Sequence, residues 1–183
     1  AVIIEALKRG KHVLSDKPLC TSLAELETIR GLAAENRLQV GLMLDLRDAG
    51  QYIKVRELVQ SGKIGEIQSA YIGGQHGLRL GWRPQWYFEQ GKHGGTINDI
   101  AIHGFDIIEW ITGLRFVEVD SARTWNGFAA DYPDFHDGAQ FMLRMDNGCG
   151  VIGDVSYFAP NDTRGSRFDP NWRLTLWGRD GVI

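Results

Sequence analysis

The sequence has no apolar run near the roughly 20 residues that a membrane-spanning helix requires, so it is not expected to cross a bilayer. It has no block of basic residues either, and 20 Lys or Arg nearly balance 23 Asp or Glu to leave a net charge of −3. Nucleic acid is therefore not expected as the main partner. Cysteine is scarce: Cys20 and Cys149 allow one disulfide at most, and two reduced thiols are expected in an enzyme-like chain. No charged segment leads into an apolar stretch and a small-residue cleavage site, so the cytoplasm is the expected compartment. Both ends also lack a natural boundary. Residues 1–9 read as helix interior without a cap, and Arg179-Asp180-Gly181 turns into a strand that does not follow. Both ends read as truncations.

What is present is an ordinary globular composition, 183 residues with 43% hydrophobic and 23% charged, enough for one sizeable core or a domain plus part of another. The opening alternates helix and strand. The first helix stops at Gly10 and a short strand covers residues 11–15. A second helix follows from a capping box at Ser22 and Glu25, with Leu23, Leu26, Ile29, Leu32 and Ala33 on its buried side. Residues 39–44 form the next strand. Such alternation is the tail of a parallel α/β sheet, here assigned to residues 1–45. The pattern then changes over residues 46–183: a helix over 49–61, a strand over 67–73, and a Trp- and Gly-rich stretch over 74–95 with no clean period. A stretch that long is expected to be functional or to hold a short element. A strong helix over 96–112 and strands over 117–125, 139–145, 151–158 and 173–177 complete an α+β domain with a large, open, mostly antiparallel sheet.

Two segments carry candidate chemistry. Asp16-Lys17-Pro18 lies just past the carboxyl end of a parallel strand, where open α/β sheets place ligands. A lysine there can bind a substrate hydroxyl or serve as a base, although on spacing alone a solvated turn lysine before a helix is the more common reading. Gly94-Gly95 leads into a helix with Asp99 and His103 four residues apart and Asp106 near the same stripe. A carboxylate and an imidazole so placed can share a proton with a substrate hydroxyl, or can be a structural pair. Trp82, Trp86 and Trp110 flank this region, and Trp86 in particular offers a plane to the apolar face of a sugar ring. His76, His93, His103 and His136 with Asp99 or Asp137 allow a metal reading, but no pair has strong ligand spacing, and no metal is assigned.

Residues 148–153 spell the G-x-G-x-x-G of a dinucleotide-binding loop. That loop must join a strand to a helix whose N-terminus meets the pyrophosphate. Here the run follows the turn Asp146-Asn147-Gly148 and continues into a strand, so it is not a cofactor loop. No other segment qualifies.

With these motifs in order, the chain resembles the Gfo/Idh/MocA oxidoreductases, relatives of glucose–fructose oxidoreductase and inositol dehydrogenase. The family's Glu-Lys-Pro reads Asp16-Lys17-Pro18, and its Gly-Gly turn and Asp-x-x-x-His-x-x-Asp helix match Gly94, Gly95, Asp99, His103 and Asp106, followed by Trp110 and Gly113. Residues 61–67 resemble the family's helix-to-strand link. The resemblance implies the tail of a Rossmann domain followed by an open-sheet substrate and oligomerisation domain. It implies NAD or NADP as cofactor, contacted through Asp16, Lys17 and Pro18, and hydride exchange with a hydroxyl carbon of a sugar, polyol or cyclitol. Lys17 would contact nicotinamide and substrate, His103 would be the acid/base, and Asp99 would position substrate or polarise His103. A homodimer or homotetramer through the sheet is implied as well. Asp16 has a shorter reach than the family's Glu, and Asp45 among the apolar residues of 42–46 leaves the substrate class open. Without a phosphate-binding loop, the 183-residue piece alone is expected to be inactive and to bind nicotinamide negligibly. The rival readings are a non-catalytic member acting in regulation or assembly through its sheet, and a metal-dependent lyase or hydrolase.

Overall fold

The computed structural model describes residues 2–160 and 172–183; Ala1, expected in the first helix, lies outside them. The chain divides into two compact units, Ala1–Asp45 and Leu46–Ile183.

In the first unit, helix α1 (Val2–Lys8), strand β1 (Val13–Ser15), helix α2 (Leu23–Glu35) and strand β2 (Val40–Leu42) follow in turn. The strands pair in parallel, with Val13 opposite Val40 and Ser15 opposite Leu42. Gly10 closes α1 at a φ of 69°, a left-handed conformation that glycine adopts without a steric penalty. Ser22 caps α2 by accepting from the Glu25 amide at 3.2 Å. The expected buried stripe of α2 is only partly realised: Ile29 is buried, whereas Leu23 is 79% exposed. As the first residue after the cap, Leu23 lies at the solvent end of the helix. Asp16-Lys17-Pro18 follows β1 directly, and the Lys17–Pro18 peptide is cis.

The second unit builds a five-stranded sheet in the order β4-β5-β6-β3-β7. Its elements are a 3-10 turn (Asp45–Asp48), whose first residue ends the first unit, α3 (Gly50–Gln60), β3 (Ile67–Gly77), a second 3-10 turn (Gln85–Phe88), a π-helical turn (Ile97–Ala101), α4 (Ile102–Thr112), β4 (Phe116–Trp125), β5 (Gly138–Met145), β6 (Gly150–Ala159) and β7 (Trp172–Gly178). Three of its strand pairings are antiparallel and one, β3 with β6, is parallel. The Trp- and Gly-rich stretch thus contributes the end of β3 and one 3-10 turn.

Burial in β5 alternates residue by residue, with Ala139, Phe141, Leu143 and Met145 inward and Gln140, Met142 and Arg144 outward. Ile107, Ile108 and Ile111 of α4 pack into the same core as Ile72, Val151, Val155 and Leu176. Gly104 brings α4 close to β3, where an added methyl would collide with Ile72. Gly113 ends α4 at a φ of 76°. The G-x-G-x-x-G run is turn and strand, as its context requires: Gly148 occupies the β5–β6 turn, and Gly153 lies in β6 against the Phe141 ring. Both cysteines are free. Among the described residues no helix is long and apolar enough to cross a membrane.

Candidate active site

The helix expected over residues 96–112 begins with a different geometry. Gly94 and Gly95 enter it with φ of 83° and 93°, and the Ile102 amide reaches back to the Ile97 carbonyl, five residues away. Such π turns insert a residue into the helical ladder and recur at functional sites. The inserted residue offsets side chains on either side of the turn, so Asp99 and His103 do not form a simple α-helical pair. Both are 7% exposed.

Asp99 is gripped from two distant elements. Its Oδ2 accepts from the Tyr87 hydroxyl at 2.7 Å and also from the Tyr157 hydroxyl, which comes from β6. The two hydroxyls are 2.7 Å apart. His93 Nε2 lies 2.8 Å from the Tyr157 hydroxyl and 3.4 Å from Asp99 Oδ2. Burial, and then the negative charge of Asp99, push both tyrosine hydroxyls well above their ordinary pKa, so each keeps its proton and can donate. The Arg83 guanidinium lies over both rings, 4.4 Å from the centre of Tyr87 and 5.0 Å from that of Tyr157. Phe135 closes the cluster against Tyr87, His93 and Tyr157. The His103 ring meets Trp172 edge-on at 5.5 Å. The result is a carboxylate held by neutral donors in an aromatic enclosure, on the same helical segment as a buried imidazole.

Residues 52–183 match the GFO/IDH/MocA C-terminal domain, and residues 1–43 match the oxidoreductase family NAD-binding Rossmann fold. The chain belongs to the Gfo/Idh/MocA family. It is 26% identical over 171 residues to D-xylose dehydrogenase of Paenarthrobacter nicotinovorans, spanning 85% of this chain and 44% of that protein. Against inositol 2-dehydrogenase of Corynebacterium glutamicum it is 32% identical over 160 residues, 84% of this chain and 43% of that protein. A solved structure from Thermotoga maritima, named as a candidate oxidoreductase, superimposes over 100% of this chain and 54% of its own, with a TM-score of 0.89 and 27% identity. The chain thus spans about half the length of these relatives.

In this Gfo/Idh/MocA chain the predicted site residues fall into both units. Asp16, Lys17 and Pro18 follow β1 in the first, where the Lys17 amide donates to Asp16 Oδ1 at 2.8 Å. Asp99, His103 and Trp86 belong to the second. Trp86 is half exposed, with its ring 5.6 Å from that of Tyr87, which in turn reaches Asp99. Trp82 is 88% exposed. Trp110 instead packs under Arg56, whose guanidinium lies 4.7 Å above it. Asp106 pairs with Arg47 through two nitrogen–oxygen contacts, one of 2.7 Å, which ties the segment before α3 to α4.

The metal reading finds its residues occupied elsewhere. His136 Nδ1 is 2.7 Å from Thr124 Oγ1, and Asp137 accepts from three backbone amides. Among the described residues no group of three or more His, Cys, Asp or Glu is placed to hold a metal ion.

Sequence reasoning missed Tyr87 and Tyr157, and it weighed His93 only as a metal ligand. One signal was available for Tyr157: it continues the inward-facing series Val151, Gly153, Val155 of β6, and a buried phenol must find a partner.

Proposed function

We propose that the whole protein transfers a hydride between NAD or NADP and a hydroxyl carbon of a sugar, polyol or cyclitol. The observation that carries this reading is the buried Asp99 carboxylate, held by Tyr87 and Tyr157 on the helical segment that also carries His103. Relatives named D-xylose dehydrogenase and inositol 2-dehydrogenase support the substrate class.

The described residues fit the nicotinamide end of a cofactor: Asp16-Lys17-Pro18 stands at the carboxyl end of a parallel strand. Among the described residues the phosphate end has no counterpart, because the run that spells G-x-G-x-x-G is turn and strand. A bound nicotinamide supplies the hydride acceptor or donor. Lys17 binds the reacting hydroxyl on the nicotinamide side, Asp16 and Pro18 shape its turn, and His103 takes or returns the hydroxyl proton. Asp99 orients the substrate and polarises His103, while Trp86 covers an apolar sugar face.

The uncovered sheet face supports self-association. Met142, Ile152, Tyr71 and Thr175 lie opposite one another across four strands, and Met142, Ile152 and Trp177 are exposed. A second copy of the chain is the proposed occupant, forming a homodimer or homotetramer in the cytoplasm. Light scattering tests this: Ile152→Arg should yield monomers, and an unchanged mass would remove the sheet from the interface.

One observation favours a second reading. Asp99 and Asp106 are both engaged by internal partners, as expected of a non-catalytic member that keeps the sheet for assembly. A turnover screen of the whole protein separates the two, pairing NAD and NADP with inositols, aldoses and polyols, with His103→Ala and Lys17→Ala as controls. Turnover lost in both variants supports the dehydrogenase. Cofactor binding with silence across the panel supports the second reading.

A further inference from the structure

Three oxygens, those of the Tyr87 and Tyr157 hydroxyls and Asp99 Oδ2, lie in mutual hydrogen-bonding reach, and His93 Nε2 adds a fourth contact at 2.8 Å from Tyr157. Electronegative atoms this close repel unless protons lie among them, so the arrangement that supplies more protons to these contacts is favoured. If His93 Nε2 accepted the Tyr157 proton, the Tyr87 proton alone would remain for three oxygen–oxygen contacts. If Nε2 carries a proton, it donates to Tyr157, Tyr157 donates to Asp99, and Tyr87 donates to Asp99 while leaning on Tyr157. Only the second arrangement leaves Asp99 Oδ2 with two donors, the condition that favours an ionised carboxylate.

We propose that His93, Tyr157 and Tyr87 form an ordered donor chain that keeps Asp99 ionised and fixes the direction of its carboxylate. This deepens the dehydrogenase reading and rests on it for the role of Asp99 toward substrate. All three are positioning residues, since they act through Asp99. The enclosure suits that task. Tyr157 is 1% exposed, so water does not compete for its hydroxyl, and Phe135 seals the ring edges. Among the described residues, the charged or titratable groups around the cluster are Arg83, stacked on both phenols, His76, whose ring meets that of Tyr157 edge-on at 6.5 Å, and His103 on the same helical segment as Asp99. The arrangement makes Tyr157 the pivot, because its hydroxyl is within hydrogen-bond distance of His93 Nε2, the Tyr87 hydroxyl and Asp99 Oδ2 at once.

Two measurements on the whole protein do not depend on turnover. The first is the ring-nitrogen correlation spectrum of 15N-histidine-labelled protein, with His93 assigned through His93→Gln. The proposal requires a proton on His93 Nε2 at neutral pH, and a neutral ring protonated only at Nδ1 overturns it. The second is the carboxyl-carbon titration of Asp99, assigned through Asp99→Asn, in wild type and Tyr157→Phe. Loss of a donor should raise the Asp99 midpoint by about one pH unit. An unchanged midpoint in a variant with wild-type near-UV dichroism overturns the proposal. If Tyr157→Phe does not fold, Tyr87→Phe removes the other donor and is read in the same way. With an active wild type, Tyr157→Phe should also lower kcat/KM about tenfold and carry its acid limb upward, with cofactor affinity unchanged. A wild type silent on every substrate sinks the dehydrogenase reading, while the tautomer and the titration still decide the donor chain.

Discussion

Asp99 and Asp137 are both buried carboxylates in the second unit, yet their surroundings differ in kind. Asp137, fully buried, accepts from the backbone amides of Gly127, Phe128 and Ala129 at 2.6, 2.7 and 2.9 Å. Those amides are fixed by the chain path, so the carboxylate acts as a clip for the loop between β4 and β5. That loop delivers Phe135 to the Asp99 enclosure and Tyr132 to the face of Phe88. Asp99 is held by side-chain donors from distant segments. Backbone donors build a scaffold that any buried carboxylate of the right reach completes. Side-chain donors make a site whose charge and direction depend on the identity of each partner.

The comparison predicts a double dissociation. If Asp99 orients substrate and polarises His103 as proposed, Asp99→Asn should lower kcat/KM of the whole protein by roughly 100- to 1,000-fold, the range of the acid/base catalysis it supports. Its stability should change by less than about 1 kcal/mol, because removing a buried charge offsets the weaker acceptor left to the tyrosines. Asp137→Ala should do the reverse. It strips three amides of a charged acceptor, and with water able to reach the exposed Gly127 and Phe128 the loss should be about 3 kcal/mol. Urea unfolding together with turnover checks both. A stability loss under about 1 kcal/mol at Asp137, or full activity in Asp99→Asn, breaks the distinction.

The difference also marks what the sequence could disclose. Local signals carried the helices, the β5–β6 turn and the parallel pairing of β1 with β2, because caps, glycine stops and alternating burial are written in neighbouring residues. Asp99 and His103 stood out for the same reason: a polar pair within an otherwise apolar helix. The enclosure did not, since Tyr87 and Tyr157 are separated by 70 residues and meet only once β6 pairs with β3. The π turn was equally hidden. Its apolar residues satisfy α-helical spacing, while Asp99 and Thr96 reach partners far along the chain, the Thr96 hydroxyl donating to the His136 carbonyl.

A smaller effect sharpens the picture of the donors. Tyr87 and Tyr157 have hydroxyl pKa values raised by burial and by Asp99. A group whose pKa is higher folded than unfolded contributes stability that is complete below its unfolded value, near 10 for tyrosine, and lost as pH rises toward the folded value. Above about pH 10 stability should therefore fall by about 1.4 kcal/mol per pH unit for each such tyrosine, and Tyr157→Phe should remove one share of that slope. Urea midpoints from pH 8 to 11 measure it. Equal slopes in wild type and variant would mean that Tyr157 is not held protonated by its surroundings.

The smallest effect belongs to the third aspartate, Asp106, which supplies the control for the other two. Its partner Arg47 grips it through two contacts, but the Arg47 side chain is 46% exposed and that of Asp106 is 13% exposed. Water screens an ion pair so placed, and holding a long side chain in one rotamer costs entropy, so Arg47→Gln should cost no more than about 1 kcal/mol. The cost should shrink further at 1 M salt, where exposed charges are screened within a few ångströms. A carboxylate paired with a half-exposed arginine, one clipped by backbone amides and one gripped by phenols thus rank by desolvation and by the fixity of their donors. A loss at Arg47 as large as that at Asp137, unmoved by salt, would show that the Asp106 pair is shielded from water and would place it with the scaffold.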